Sequence, residues 1–358
     1  MNRKFCEMAT FVLIQKKSCE IIIDYSKEEA PIRLFSELCD CIARSKKFPA
    51  TSLRLQGSQS FIWDFERNPK LVEFFNSYAN LLTSIQLNFG VMKHQHWRSL
   101  FTELLPNIEA LELGFVFLPM EPRSSSTKKD PVPAAENFGV LKALKSLRLL
   151  EDFHLTHLES KKEEVSRYLF KQLSTPNLRS IRNVGCECLP DILEVGKVYA
   201  VKELRFMPKN VHDIELLSKF ADQKPQLESI NIVNEYVVNN PTMKSHVWTL
   251  AKVLSRMLES SKETLKSLTL RPFSLLQDMQ IPIMSLVETV NMTDFPRNDF
   301  VPDGDFGTLR IFPSGLKVSV TFPNLKSLHY EFPEVNKNFI EKYFPMDVYV
   351  VGELAEDC

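Results

Sequence analysis

Four short pairs in this chain carry metal-binding side chains: Cys39-Asp-Cys41, Cys186-Glu-Cys188, His94-Gln-His96 and His154-x-x-His157. Thiolates and imidazoles hold zinc when four converge, with paired cysteines usually separated by roughly two to four residues. Here one residue separates each cysteine pair, and four scattered pairs do not make one tetrahedral set. They read as free thiols and ordinary histidines, so no metal and no cofactor is expected. Asp305-Phe306-Gly307 spells the kinase triplet, but no glycine-rich loop or His-Arg-Asp segment precedes it, and its neighbours are turn formers. G-x-S-x-G, the P-loop and H-E-x-x-H are absent. The chain reads as a non-enzyme. A hydrolase or transferase would have to gather its acid and base groups in the 294–315 stretch, where the sequence shows no such cluster.

The chemistry that remains is recognition, and it lies between leucines. Gln86, Glu112, Arg148, Arg182, Arg205, Asn231, Thr269, Asn291 and His329 each stand four residues after the start of a recurring apolar i, i+3, i+5 phrase. Two residues earlier come Ser84, Ala110, Ser146, Ser180, Glu203, Ser229, Ser267, Thr289 and Ser327. Successive strand residues point to opposite faces. A strand that buries i+3 and i+5 therefore turns both polar sets to its open side. The first set is a column of functional groups suited to a protein partner, and the second a column of small ones. Arg148, Arg182 and Arg205 fall in three successive phrases. On strands about 4.7–4.9 Å apart they would crowd, and like charges placed opposite one another are destabilising. One reading lets the arginines splay into water beside Glu203. The other makes them a patch for an acidic or phosphorylated peptide, which guanidinium grips bidentately.

The elements that must position these columns are written repeatedly. "FPNLKSLHYEF" (322–332), "TPNLRSIRNV" (175–184) and "KPQLESINIV" (224–233) are near copies. Full phrases start at Leu82, Ile108, Leu144, Val201, Leu227, Leu265, Val287 and Leu325. Leu178-Ile181 is imperfect, with Asn183 in its third slot, and "ATSLRL" (50–55) starts weakly on Ala50. Between phrases the apolar period becomes helical, over 71–82, 96–108, 163–173, 213–221 and 247–261. Pro106, Pro176 and Pro225 stop three of these runs. Helix, stop, strand, in series, predicts an α/β chain with one continuous parallel sheet and helices on its other face. Trp63, Trp97 and Trp248 stand in apolar surroundings and are expected in the core.

The "PNLxxLxL" phrase after a helix resembles the leucine-rich-repeat family, most closely the long irregular repeats of F-box/leucine-rich-repeat proteins. The resemblance covers roughly residues 50–350. It implies a solenoid, or horseshoe, with parallel strands on the concave face, helices on the outer face and irregular repeat length. Where that family carries an asparagine after the strand motif, Gly90 and Glu235 stand at two positions. "RKFCEMATFVLI" (3–14), with Phe5, Cys6 and Phe11, resembles the closing helix of an F-box module, though it has no tryptophan. The resemblance thus implies a missing or truncated F-box in 1–20, or a plain capping segment there, followed by a repeat domain over 21–358. It also implies substrate recognition for an SCF-type ubiquitin ligase, with the cullin-RING ligase adaptor as a partner if an F-box lies upstream. The alternative is a leucine-rich-repeat scaffold unrelated to ubiquitin.

Composition sets outer bounds. At 358 residues the chain exceeds the usual single core, so it holds several domains or a repeat array. Ten glycines are too few for the phosphate-binding loops of a nucleotide-dependent enzyme. A net charge of −1 argues against wholesale binding of nucleic acid or anionic membrane. No apolar run reaches 18 residues, so no membrane span is expected. Seven thinly spread cysteines predict free thiols in a reducing compartment, cytoplasmic or nuclear. Two insertions interrupt the pattern. The 119–139 stretch, rich in Pro, Ser and charge, is expected to be a mobile loop, and the long 294–315 loop carries phenylalanines suited to packing.

Overall fold

The computed structural model describes residues 20–25, 51–57, 62–63, 69–88, 91–92, 105, 107–114, 140–150, 166–172, 174–208, 210–233, 247–271, 279–293, 321–331 and 349–351. The chain divides into two compact units, Met1–Arg182 and Asn183–Cys358. The architecture is mixed α/β, and each unit contains one six-stranded parallel sheet with its strands in chain order.

The sheet of the first unit is built from β1 (Glu20–Tyr25), β2 (Ser52–Gly57), β4 (Ser84–Asn88), β6 (Ala110–Leu113), β7 (Ser146–Leu149) and β8 (Ser180–Arg182). A separate two-stranded parallel ribbon pairs β3 (Ile62–Trp63) with β5 (Val91–Met92). Helix α1 spans Pro69–Tyr78 and runs into a 3-10 turn at Ala79–Leu81, close to the expected 71–82. The 163–173 run forms a π-helical turn at Tyr168–Gln172. Most of 96–108, the segment 1–19 and both insertions lie outside the described residues, as do Trp97, Cys39, Cys41 and the His94/His96 and His154/His157 pairs.

The second unit's sheet holds β9 (Glu203–Phe206), β10 (Ser229–Val233), β11 (Ser267–Arg271), β12 (Thr289–Thr293), β13 (Ser327–Glu331) and β14 (Tyr349–Val351). Three helices accompany it: α2 (Leu189–Glu194), α3 (Val211–Asp222) and α4 (Val247–Ser261). Helix α3 packs against both α2 and α4. Arg256 of α4 fixes one of these contacts, bonding to Asp222 and donating to Ser218 of α3 at 2.9 Å.

The phrase does what its spacing requires. Strands β6, β7 and β9 alternate half-exposed or exposed with buried residues, and the i+3 and i+5 positions are the buried ones. Leu111, Leu113, Leu147, Leu149, Leu204, Phe206, Ile230, Ile232, Leu268 and Leu270 are essentially inaccessible. The phrase's first residue is buried too, as at Leu82, Ile108, Leu144, Leu227 and Leu265. Ile214, Leu217 and Phe220 of α3 and Leu250, Leu254, Met257 and Leu258 of α4 complete the second unit's core at helical spacing.

Two expectations are corrected. The sheet is not continuous: β8 ends at Arg182, and Asn183 takes a left-handed φ of 57°, a conformation asparagine tolerates better than branched residues. The missing apolar third slot therefore marks the end of a sheet. Val184 pairs instead with Leu204 in the second unit. Trp248 is not core; it is 55% exposed at the start of α4, off the buried stripe, with Lys252 Nζ 3.3 Å from its ring centre.

Candidate functional site

The register places the expected column residue by residue. In the first unit Arg54, Gln86, Glu112, Arg148 and Arg182 are consecutive cross-strand partners on β2, β4, β6, β7 and β8. In the second, Arg205, Asn231, Thr269, Asn291 and His329 are consecutive on β9 to β13. All nine expected positions thus stand in two rows. The three arginines do not share one sheet. Arg148 and Arg182 are neighbours in the first, whereas Arg205 belongs to the second. Arg54, unassigned in the sequence because its phrase is the weakest, extends the first row. The reading position was right there, and only the alanine at the phrase start hid it.

Both rows occupy the open side of their strands: Gln86, Glu112, Arg148, Arg205, Asn231 and Thr269 each stand between two buried neighbours. Arg148 is exposed, and the other expected members are half-buried. Among the described residues no hydrogen bond or ion pair engages the side chains of Gln86, Glu112 or Arg148, although Glu112 and Arg148 are cross-strand partners. Arg54, Arg182 and Arg205 do have partners. The first row therefore offers one uncommitted guanidinium beside a committed one. In the second row the Oδ1 atoms of Asn231 and Asn291 are sheltered from solvent and receive no hydrogen bond.

Beside the rows run two further columns. The small set is present as expected, and Ser52 begins it in the first unit. One residue nearer the phrase start is a column that sequence reading passed over. Lys202, Glu228, Lys266, Glu288 and Lys326 alternate in sign across the second unit. Their backbones form a regular ladder in which each carbonyl accepts two N–H groups from the next strand's approach. Lys266 and Ser267 both donate to Glu228, at 2.8 and 3.2 Å, and Lys326 and Ser327 both donate to Glu288, at 2.9 and 3.0 Å. The side chains pair along it: Lys326 lies 2.7 Å from Glu288 and Lys266 3.7 Å from Glu228. In the first unit Lys145 lies 2.8 Å from Glu109. The signal available was a charge alternating at a fixed offset from the leucines.

The repeated "PN" has its own explanation. The residue after the proline donates its side-chain amide to a neighbouring repeat's backbone. Asn177 reaches the Lys142 carbonyl and Asn324 the Ser285 carbonyl, each at 2.7 Å. Gln226 makes the same kind of bond to Ser260 at 2.7 Å. The amide satisfies a turn carbonyl that the strand ladder cannot reach.

Elsewhere the chemistry is sparse. Cys186 and Cys188 are free thiols in a 3-10 turn. Burial, then the nearby Asp213 and Glu187 carboxylates, push the Cys186 thiol well above its ordinary value. Among the described residues no three His, Cys, Asp or Glu side chains are grouped to hold a metal, and no helix is long and apolar enough to cross a membrane. Compared with known proteins, the chain matches no family model and no curated protein.

Proposed function

We propose that this chain is a non-catalytic protein-binding module of the leucine-rich-repeat type, with the open sides of its strands as a concave partner surface and its helices on the outer side of a horseshoe. Following the F-box resemblance, its role is substrate recognition for an SCF-type ubiquitin ligase, in the cytoplasm or nucleus. The observation that carries the reading is the first polar row. Arg148 stands exposed and uncommitted on the open side of a sheet whose other side is core, with Arg182 on the next strand. Two adjacent guanidiniums separate poorly from a carboxylate or phosphate, because each supplies a planar fork of donors. An acidic or phosphorylated segment of a partner protein is the occupant this row suits.

The test is affinity capture of the tagged chain from its native cells, with wild type and Arg148→Ala compared by mass spectrometry. Cullin and its adaptor in the wild-type capture support the ligase role. A partner recovered without them leaves a leucine-rich-repeat scaffold. A partner recovered equally by Arg148→Ala and by substitutions across both rows overturns the binding-face reading itself.

A further inference from the structure

We infer that the second unit's open face takes an extended, uncharged segment of a partner protein, lying across β10 to β13 in polyproline II conformation and donating backbone N–H groups to Asn231 and Asn291. This deepens the proposed function and rests on its reading of the open faces as partner surfaces.

The starting observation is a row of four polar side chains with nothing to bond. Asn231, Thr269, Asn291 and His329 are cross-strand neighbours, and among the described residues none has a hydrogen-bond partner. Two of their acceptors, the Asn231 and Asn291 Oδ1 atoms, are withdrawn from solvent. Sheltered acceptors without donors are uncommon in folded proteins and call for a missing group. Thr269, between them, has one hydroxyl proton and cannot serve both.

Charge complementarity narrows that group. Across β10 to β13 this row carries no formally charged residue type other than His329; the column on one side is Ser229, Ser267, Thr289 and Ser327, and that on the other is Val233, Arg271, Thr293 and Glu331, one cation and one anion. A charge brought onto the row itself would lose water and find no opposite charge within it, and Arg271 in the adjoining column is already engaged. A nucleic acid backbone would find a single arginine beside the row, Arg271, which another group already engages, and no basic track. The occupant is therefore neutral where it crosses these strands and rich in N–H donors.

Spacing narrows it again. Asn231 and Asn291 are two strands apart, about 9.4–9.8 Å at the usual strand separation. Polyproline II rises about 3.1 Å per residue and repeats every three, so equivalent groups recur about every 9.3 Å along one side. A β-strand repeats its face at about 6.6–6.8 Å, which misses that interval. A helix has already spent its N–H groups internally. Polyproline II makes no internal hydrogen bonds, so its N–H and C=O groups are free. One N–H per turn meets an asparagine, and Thr269 midway donates to a carbonyl. Proline is then excluded at every third position, where the N–H is used, and welcome at the other two.

Fluorescence anisotropy on the full chain tests this with two labelled twelve-residue peptides. One has alanine at every third position and proline elsewhere; the other is all proline and has no internal N–H to give. The periodic peptide is expected to bind at least tenfold more tightly, with little dependence on salt, and the Asn231→Ala/Asn291→Ala double variant to lose that advantage. Should the double variant melt early, Thr269→Val, which removes only the hydroxyl, is expected to weaken the same peptide severalfold. Equal binding of the two peptides, unchanged binding by these variants, or no saturable binding at millimolar peptide overturns the inference. So does asparagine-dependent binding of a neutral oligosaccharide in preference to the periodic peptide. Peptide binding that fails while Arg148→Ala still abolishes partner capture removes this site alone. Capture that survives every face substitution removes the reading on which the site rests.

Discussion

Arg148 and Cys186 show how one side chain's surroundings decide what it can do. Arg148 is exposed and uncommitted, so Arg148→Ala is expected to change folding stability by less than about 0.5 kcal/mol, as for most surface substitutions. Urea denaturation measures this, and a loss above about 1 kcal/mol would mean that the guanidinium holds the sheet together. Cys186 makes the opposite case. Its folded thiol titrates well above the ordinary value because burial, Asp213 and Glu187 all disfavour the thiolate. The thiolate is the reactive form, so folded Cys186 is expected to react with a maleimide far more slowly than the denatured chain at pH 8. The same shift has a sign in stability. The unfolded thiol loses its proton near pH 8.5 while the folded one keeps it, so the unfolded state binds fewer protons above that point. The contribution is complete below about pH 8.5 and is lost as pH rises through the range up to the folded value. Replacing Cys186 by Ser should flatten that alkaline loss in urea titrations. At this scale the polar rows were legible because a two-residue alternation fixes sidedness. The charged column was not, because a lysine or glutamate beside a leucine is locally indistinguishable from any solvated residue. Its meaning appears only when the strands bring five of them side by side.

Helix α3 and the turn after it show the element scale. Asn210 is extended, and its side chain accepts from the Asp213 N–H at 3.0 Å, closing the helix start. Asn210→Ala is expected to lower stability by about 0.5–2 kcal/mol, read from the urea midpoint, whereas Asn210→Ser should be nearly neutral. The helix ends at Asp222 with Gln223 as its cap, and Lys224 follows with a left-handed φ of 52° before Pro225. A residue with a Cβ is disfavoured there by about 1–2 kcal/mol, of which glycine returns part as lost chain entropy. Lys224→Gly should therefore stabilise the chain by roughly 0.5–1 kcal/mol, and a decrease in its melting temperature would contradict the assignment. Elements of this kind were readable from sequence: the proline stop, the apolar period of 3.6 and the phrase predicted α3, α4 and the sheet strands from β2 to β13 that carry the phrase, but not β1 or β14, which lack it. The break between sheets was less so. Asn183 in the third slot looked like an imperfect copy, and only its backbone conformation shows that the strand stops there. Trp248 misled for a related reason, because an apolar neighbourhood in sequence spans every side of a helix, including the solvent side that Lys252 covers.

At the scale of the whole molecule, each unit is a stack in which every inner strand is held by its two neighbours. In the second unit β11 pairs with β10 over five positions and with β12 over four. Leu268 lies in both pairings and is fully buried. An aspartate at that position would bury a charge with no partner, which costs several kcal/mol even after partial relaxation. In a molecule with one diffuse core the damage would be global or else confined to the site. In a stack it travels by neighbour contacts, because each strand's stability includes the interfaces on either side. Leu268→Asp is therefore expected to lower the urea midpoint and to accelerate amide exchange first in β11, then in β10 and β12, and least in β14. The ladder at the phrase supports this ordering. The Glu228 carbonyl takes the N–H groups of Lys266 and Ser267, and the Lys266 carbonyl takes those of Glu288 and Thr289. Loosening β11 thus releases donors on one side and an acceptor on the other. Hydrogen exchange with mass spectrometry on the full chain resolves these segments. Uniform acceleration across β9 to β14 would show a single cooperative core, and wild-type exchange throughout would remove Leu268 from the core.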